Sequence, residues 1–147
     1  MHNLTKIDKL LKDELSAIET YQQALDALKE DVSLGNAESL VPIYEDHQAA
    51  ASSLQAQIRQ LGGTPSADSG AWGTWAKMIL GGAHLLGKES ALKALQEGES
   101  SGVKDYEKAL LDHDLSAEVR ALIETKLLPA QQAHIRTLDK LIDAASA

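Results

Sequence analysis

The chain has no cysteine. Disulfides, thiolate metal sites and cysteine nucleophiles are excluded together, which leaves His, Glu and Asp as the only strong ligands a metal could find. Basic residues are also scarce, 14 against 22 acidic ones, for a formal net charge of -8. No basic stripe is available to displace phosphate counterions, so a nucleic-acid partner is not expected. Val, Ile, Thr and aromatic residues are sparse while Ala, Leu, Glu, Lys and Gln abound, a balance that favours helix over strand throughout. An all-α domain spanning 1–147 is expected, large enough to bury a real core. There is no Gly-rich phosphate loop, no nucleophile elbow and no Ser-His-Asp order. The stretch from Met1 to Asp8 lacks a basic region followed by an apolar run, so no signal peptide is expected and a cytoplasmic location is the default.

What the chain does contain is one pattern, twice. Glu14, six residues, Tyr21, two residues, Ala24-Leu25 is matched 85 positions later by Glu99, six residues, Tyr106, two residues, Ala109-Leu110. Each copy is followed by a second echo, Pro42 with His47 and Pro129 with His134, with four residues between them in both. Two copies of a Glu helix followed by a His helix are expected.

The apolar periodicity supports that reading. Helix 1 is predicted from about Leu4 to Asp31, with the inner stripe Leu4, Ile7, Leu11, Glu14, Ile18, Tyr21, Leu25 and Leu28, an alternation of three and four residues typical of a bundle seam. Helix 2 is predicted from around Ala37–Leu40 to Leu61, with Leu40, Ile43, His47, Ala50, Leu54, Ile58 and Leu61 inward, ended by Gly62-Gly63-Thr64-Pro65. Helix 3 is predicted from about Glu89 to Leu111, with Leu92, Leu95, Glu99, Gly102, Tyr106, Ala109 and His113 inward. Helix 4 follows the Ser116 cap and runs to about Ala144, with Leu127, Gln131, His134, Leu138, Leu141 and Ala145 inward and a kink expected at Pro129.

Between the two hairpins, about 62–88, lies a segment of another kind. Ala71 to Leu86 is apolar, with Trp72, Trp75, Met78, Ile79 and Leu80, and is read as a helical crossover along the outside of the bundle. At sixteen residues, with Lys77, His84 and three glycines inside it, it is shorter than the roughly 20 needed to span a membrane. Packing on the bundle or burial in a homodimer interface is the expectation. Lying on a membrane surface is the weaker alternative, because a single Lys offers little to anionic lipid.

Glu14, His47, Glu99 and His134 therefore occupy the core stripes of four helices at comparable depth. An unpaired buried charge costs several kcal/mol against a total stability of roughly 5 to 15 kcal/mol, so the four must satisfy one another or something bound between them. One solution is a divalent metal, since imidazole with carboxylate suits iron, manganese or zinc. The other is a pair of buried Glu-His hydrogen bonds shared with the Tyr21 and Tyr106 hydroxyls. His2, His84 and His113 are lone histidines with no such company. Asp8, Asp26, Glu30 and Asp31 read as solvated helix faces, and Glu45 and Asp46 flank His47 but point off its seam.

These residues resemble the ferritin-like superfamily. The stretch from Asp13 to Tyr21 is similar to the first ligand helix of a bacterioferritin, and Ala133 to Leu138 to its last. Over nearly the whole chain, Leu61-Gly62-Gly63-Thr64-Pro65, the Trp-bearing crossover and the run from Ala91 to Glu99 resemble small bacterial ferritin-like proteins of unknown function. The resemblance implies a four-helix bundle with a long crossover between helices 2 and 3, and a metal site of Glu14, His47, Glu99 and His134, with a stress-related role in iron or manganese handling. Where di-iron members carry a carboxylate three residues before each His, this chain has Tyr44 and Gln131. That departure implies one metal held by two Glu and two His, or a decayed site in a non-catalytic bundle serving dimerisation or protein interaction. An oxygen-activating di-iron centre is not implied, and the length leaves no room for the extra helix of cage-forming ferritins.

Overall fold

In the computed structural model, residues 4–29, 35–67 and 88–146 are described. The chain is an antiparallel bundle of helices, with no strand among the described residues. Helix α1 spans Leu4–Lys29, a 3-10 turn over Gly35–Leu40 leads into α2 (Val41–Gln60), and α3 spans Lys88–Leu110. The last rod is α4 (Ala117–Leu122), a π turn (Ile123–Leu127) and α5 (Leu128–Ser146) in direct succession. The hairpins α1–α2 and α3–α5 pair most extensively. The apolar segment 71–86, with Trp72 and Trp75, lies outside the described residues, as do His2 and His84.

Local chemistry accounts for the ends. Gly62 takes φ +87°, its N–H bonds to Arg59 O at 3.0 Å, and Gly63 N–H reaches Ile58 O at 2.9 Å. This is a Schellman end, in which the left-handed residue has to be one without a Cβ. Pro42 falls in the first turn of α2, after the 3-10 turn, where its missing N–H costs nothing. Ser116 caps α4 as expected, its Oγ accepting from Val119 N–H at 3.1 Å. His113 was expected in the seam of helix 3, but α3 stops at Leu110 and His113 is exposed beyond it. Asp8 was expected to be solvated. It holds Ser66 instead, accepting from its backbone N–H at 2.9 Å and its hydroxyl at 2.6 Å, and so ties the end of the α2 turn back to α1.

Pro129 acts further upstream than the expected kink. Leu128 N–H bonds to Ile123 O, five residues back, so the helix widens to a π turn just before the proline, where a regular helix would press the pyrrolidine ring on the Thr125 carbonyl. The buried positions Val119, Ile123, Leu127 and Gln131 are four apart. Each such step overshoots an α turn by about 40°, and the wider turn takes that excess back. Gln131 and His134 are thereby kept facing the core.

That core is in two pieces. One apolar cluster contains Ala17, Tyr21, Ala24, Leu40, Ile43, Leu92, Leu95, Leu138 and Leu141. The other contains Ile7, Leu11, Leu54, Ile58, Tyr106, Ala109, Val119 and Ile123. Along every long helix the change from one cluster to the other falls at the ionisable residue: between Leu11 and Ala17 at Glu14, between Ile43 and Ala50 at His47, between Leu95 and Tyr106 at Glu99, and between Leu127 and Leu138 at His134. A polar layer thus crosses the middle of the bundle.

Candidate metal centre

Glu14, His47, Glu99 and His134 meet in this layer, none more than 5% exposed. His47 stands at the centre. Its Nδ1 lies 2.5 Å from Glu14 Oε2 and its Nε2 lies 2.7 Å from Glu99 Oε2. Glu99 Oε1 faces His134 Nδ1 at 3.0 Å. The tyrosines close the network crosswise: Tyr21 donates to Glu99 Oε2 at 2.7 Å and Tyr106 to Glu14 Oε1 at 2.5 Å. Each tyrosine therefore serves the glutamate of the other repeat.

The electrostatics follow from this arrangement. Burial opposes a charge on His47, but the carboxylates of Glu14 and Glu99 outweigh it and raise the imidazole to about 10. Burial likewise pushes the Glu99 carboxyl upward, and the His47 charge with hydrogen bonds from both histidines overrides it, bringing the group down to about 2. Tyr21 and Tyr106 are raised well above the ordinary phenol value, first by burial and then by the glutamates they face. Without a metal, the imidazolium itself supplies the positive charge between two carboxylates.

One donor atom from each of His47, Glu99 and His134 lies within 4.8 Å of the others. An ion at about 2.0–2.2 Å from each donor holds donors roughly 3.3 to 4.4 Å apart, so this group fits one after a slight parting of its side chains. Glu14 is one step removed, behind the far nitrogen of His47. Gln131 is buried at 3% exposure, and its Oε1 has no hydrogen-bond partner. Its amide fills the space over Gly102, where a Cβ would come within 2.0 Å of Nε2. The room left by Gly102 is thus taken by Gln131. Tyr44 turns the other way, half-buried, with its hydroxyl accepting from Gln22 Nε2 at 2.8 Å and Gln48 Nε2 at 3.2 Å. It contributes nothing to the layer.

Asp46 was expected to point off the seam. It does leave the seam, yet its Oδ2 reaches Nε2 of His134 at 2.8 Å across the α2–α5 groove. A cleft of about 230 Å³ in that groove touches Glu14, Asp46, His47, Gln131 and His134. On the other side of the layer, Asp13 and Asp105 converge on Lys9 at 3.4 and 3.3 Å. Burial and the hydrogen bond with Asp105 raise Asp13 to about 7 despite the lysine. Both acids were missed from the sequence, where neither lies in a core stripe.

The family model of a domain of unknown function, DUF2383, matches residues 2–112. The chain belongs to that family. A crystal structure described as "ferritin like, diiron-carboxylate proteins" from Bacillus anthracis str. Ames is similar with a TM-score of 0.68 and 23% identity, covering 95% of this chain and 94% of that one. That likeness establishes a ferritin-like bundle for the DUF2383 chain. No curated protein matches it. Among the described residues, no helix is long and apolar enough to cross a membrane.

Proposed function

We propose that this DUF2383 protein binds a single divalent metal, iron, manganese or zinc, in the polar layer, with His47, Glu99 and His134 as ligands and Glu14 completing the set behind His47. The observation that carries the reading is the convergence of two imidazoles and a carboxylate, fully buried, from three different helices. Nitrogen and oxygen donors of this kind suit those ions, and a bundle presents them inward from facing helices. When bound, such an ion supplies Lewis acidity and, if iron or manganese, one-electron chemistry. The residues around it hold the donors: Tyr21 keeps Glu99 oriented, and Glu14 keeps the ring of His47. Tyr44 and Gln131 supply no bridging carboxylate, which favours one ion over two. An iron- or manganese-handling role under oxidative stress, in a cytoplasmic homodimer joined through the apolar segment 71–86, is the finer form of this reading.

A second reading has its own support. Every carboxylate and imidazole of the layer already has a hydrogen-bond partner, so its ionisable groups are satisfied without an ion. Under that reading the protein is a non-catalytic bundle with a decayed site, acting in dimerisation or protein interaction. Metal analysis of protein purified without chelator separates the two, together with thermal unfolding on adding Fe(II), Mn(II) or Zn(II). The metal reading expects about one ion per chain and a raised midpoint, because a ligand bound only by the native state stabilises it. Glu99→Gln should abolish both effects. No bound metal and no shift with any of the three ions would leave only the second reading.

A further inference from the structure

α2 and α5 approach each other less closely than α1 and α3 do. The residues that line the gap between them are nonetheless small, with Ala49, Ala50 and Ser53 on α2 and Ala130 on α5. Small side chains ordinarily let two helices close on one another. Here the space stays open as a cleft of about 230 Å³. The π turn before Pro129 contributes Lys126 and Leu127 to its wall, and turns of that kind are frequent at functional sites. An apolar cavity of about 150 Å³ takes up benzene, so this cleft suits a molecule of up to roughly nine non-hydrogen atoms.

The floor of the cleft is the polar layer, met at Glu14, His47, Gln131 and His134. Its imidazole nitrogens are all committed, those of His47 to Glu14 and Glu99 and those of His134 to Glu99 and Asp46. What the floor leaves unmatched is an acceptor, Gln131 Oε1, buried and without a hydrogen-bond partner. Such an orphan weakens a domain. The bundle adds a helical glycine to seat that amide, since a Cβ on Gly102 would lie 2.0 Å from Nε2. The amide turns about a broad terminal torsion, so its oxygen can meet a donor at the floor without any movement of α5. Asp46, with one oxygen on His134, brings negative charge to the same cleft and favours a cationic donor. The exposed residue of the opposite sign in the lining is Lys126.

We propose that the α2–α5 cleft binds a small amino acid, with its ammonium group directed inward to Gln131 Oε1 and Asp46 and its carboxylate directed outward to Lys126. Leu122, Leu127 and Ala130 supply the apolar wall for the carbon chain between the two ends. A simple amine would leave Lys126 unmatched. A simple carboxylate would bring a third negative group to Glu14 and Asp46 and give Gln131 Oε1 no donor. Binding of this kind needs no ion, and it goes beyond the metal reading above.

Amide NMR of nitrogen-labelled, chelator-treated protein tests this by titration with glycine, β-alanine, γ-aminobutyrate and leucine. At least one should give saturable shifts clustered at Ser53, Lys126 and Gln131. Butylamine and butyrate, which carry one end each, should bind about 10-fold more weakly than the best amino acid. Ser53→Leu, which fills the cleft from a half-buried position, should abolish the shifts. Gln131→Leu should weaken binding about 10-fold and, by removing the orphaned oxygen, raise the urea midpoint of the unliganded protein. Unchanged affinity in either variant would overturn the assignment. So would butylamine or butyrate binding as tightly as the best amino acid, or the absence of saturable shifts with all four. Because no metal is present in these titrations, their outcome leaves the metal reading to its own test.

Discussion

The hydroxyl of Tyr21 donates to Glu99, 78 residues further along the chain, at 2.7 Å, and both residues are fully buried. Tyr106 returns the relation by donating to Glu14. The two repeats are thus joined by their polar groups, each half completing the other.

Replacing either tyrosine by Phe leaves a buried carboxylate short of one donor while keeping the ring packed. Tyr21→Phe and Tyr106→Phe should each lower stability by about 1–3 kcal/mol, read as a fall in the urea midpoint with an unchanged slope. The double variant should cost less than the sum, because both glutamates also face His47 and share its charge.

The layer makes the metal-free protein sensitive to pH at both ends. Glu99 is lowered to about 2 from an ordinary value of 4.5, so its contribution is present above about 4.5 and is lost as pH falls towards 2. His47 is raised to about 10 from 6.5, so its contribution is complete below 6.5 and is lost as pH rises through 10. Asp13, raised to about 7 from 3.8, adds to the loss as pH climbs between those values. Urea unfolding of chelator-treated protein across this range should therefore find stability falling on both the acid and the alkaline side. Glu99→Gln should flatten the acid limb.

At Gly102 a methyl group would sit 2.0 Å from the Gln131 amide. An exposed helical Gly→Ala change ordinarily stabilises by roughly 0.5–1 kcal/mol. Here overpacking should reverse the sign, and Gly102→Ala is expected to destabilise by about 1–3 kcal/mol. Shortening the neighbour in Gly102→Ala/Gln131→Ala should remove most of that clash. Chemical denaturation of the four proteins of this cycle gives the coupling directly.

Gly62 holds φ +87° at the end of α2 with open space around its Cα. Gly62→Ala should therefore cost about 1–2 kcal/mol through backbone strain alone, with metal binding untouched. A calorimetric scan and a zinc titration of the same variant check both halves of that statement.

Much of this architecture is set by one-dimensional pattern. The alternation of three and four residues, the Gly62-Gly63 stop, the Ser116 cap and the twofold Glu-Tyr and Pro-His spacing determine the helices and the depth of Glu14, His47, Glu99 and His134, because helix periodicity alone places residues at one height on one face. The partners at that depth depend on the azimuth of one helix against another, which no local pattern records. Tertiary packing alone decided that Tyr21 serves Glu99 and not the glutamate of its own helix. It also brought Asp46 across a groove to His134 from a position off the seam. Tyr44 and Gln131 stand at equivalent places in the repeat, yet Gln131 stays inside over the bare Cα of Gly102 while Tyr44 turns out to Gln22, where Ala17 carries a methyl at the position equivalent to Gly102. What each of these two side chains meets is settled only once the helices are packed.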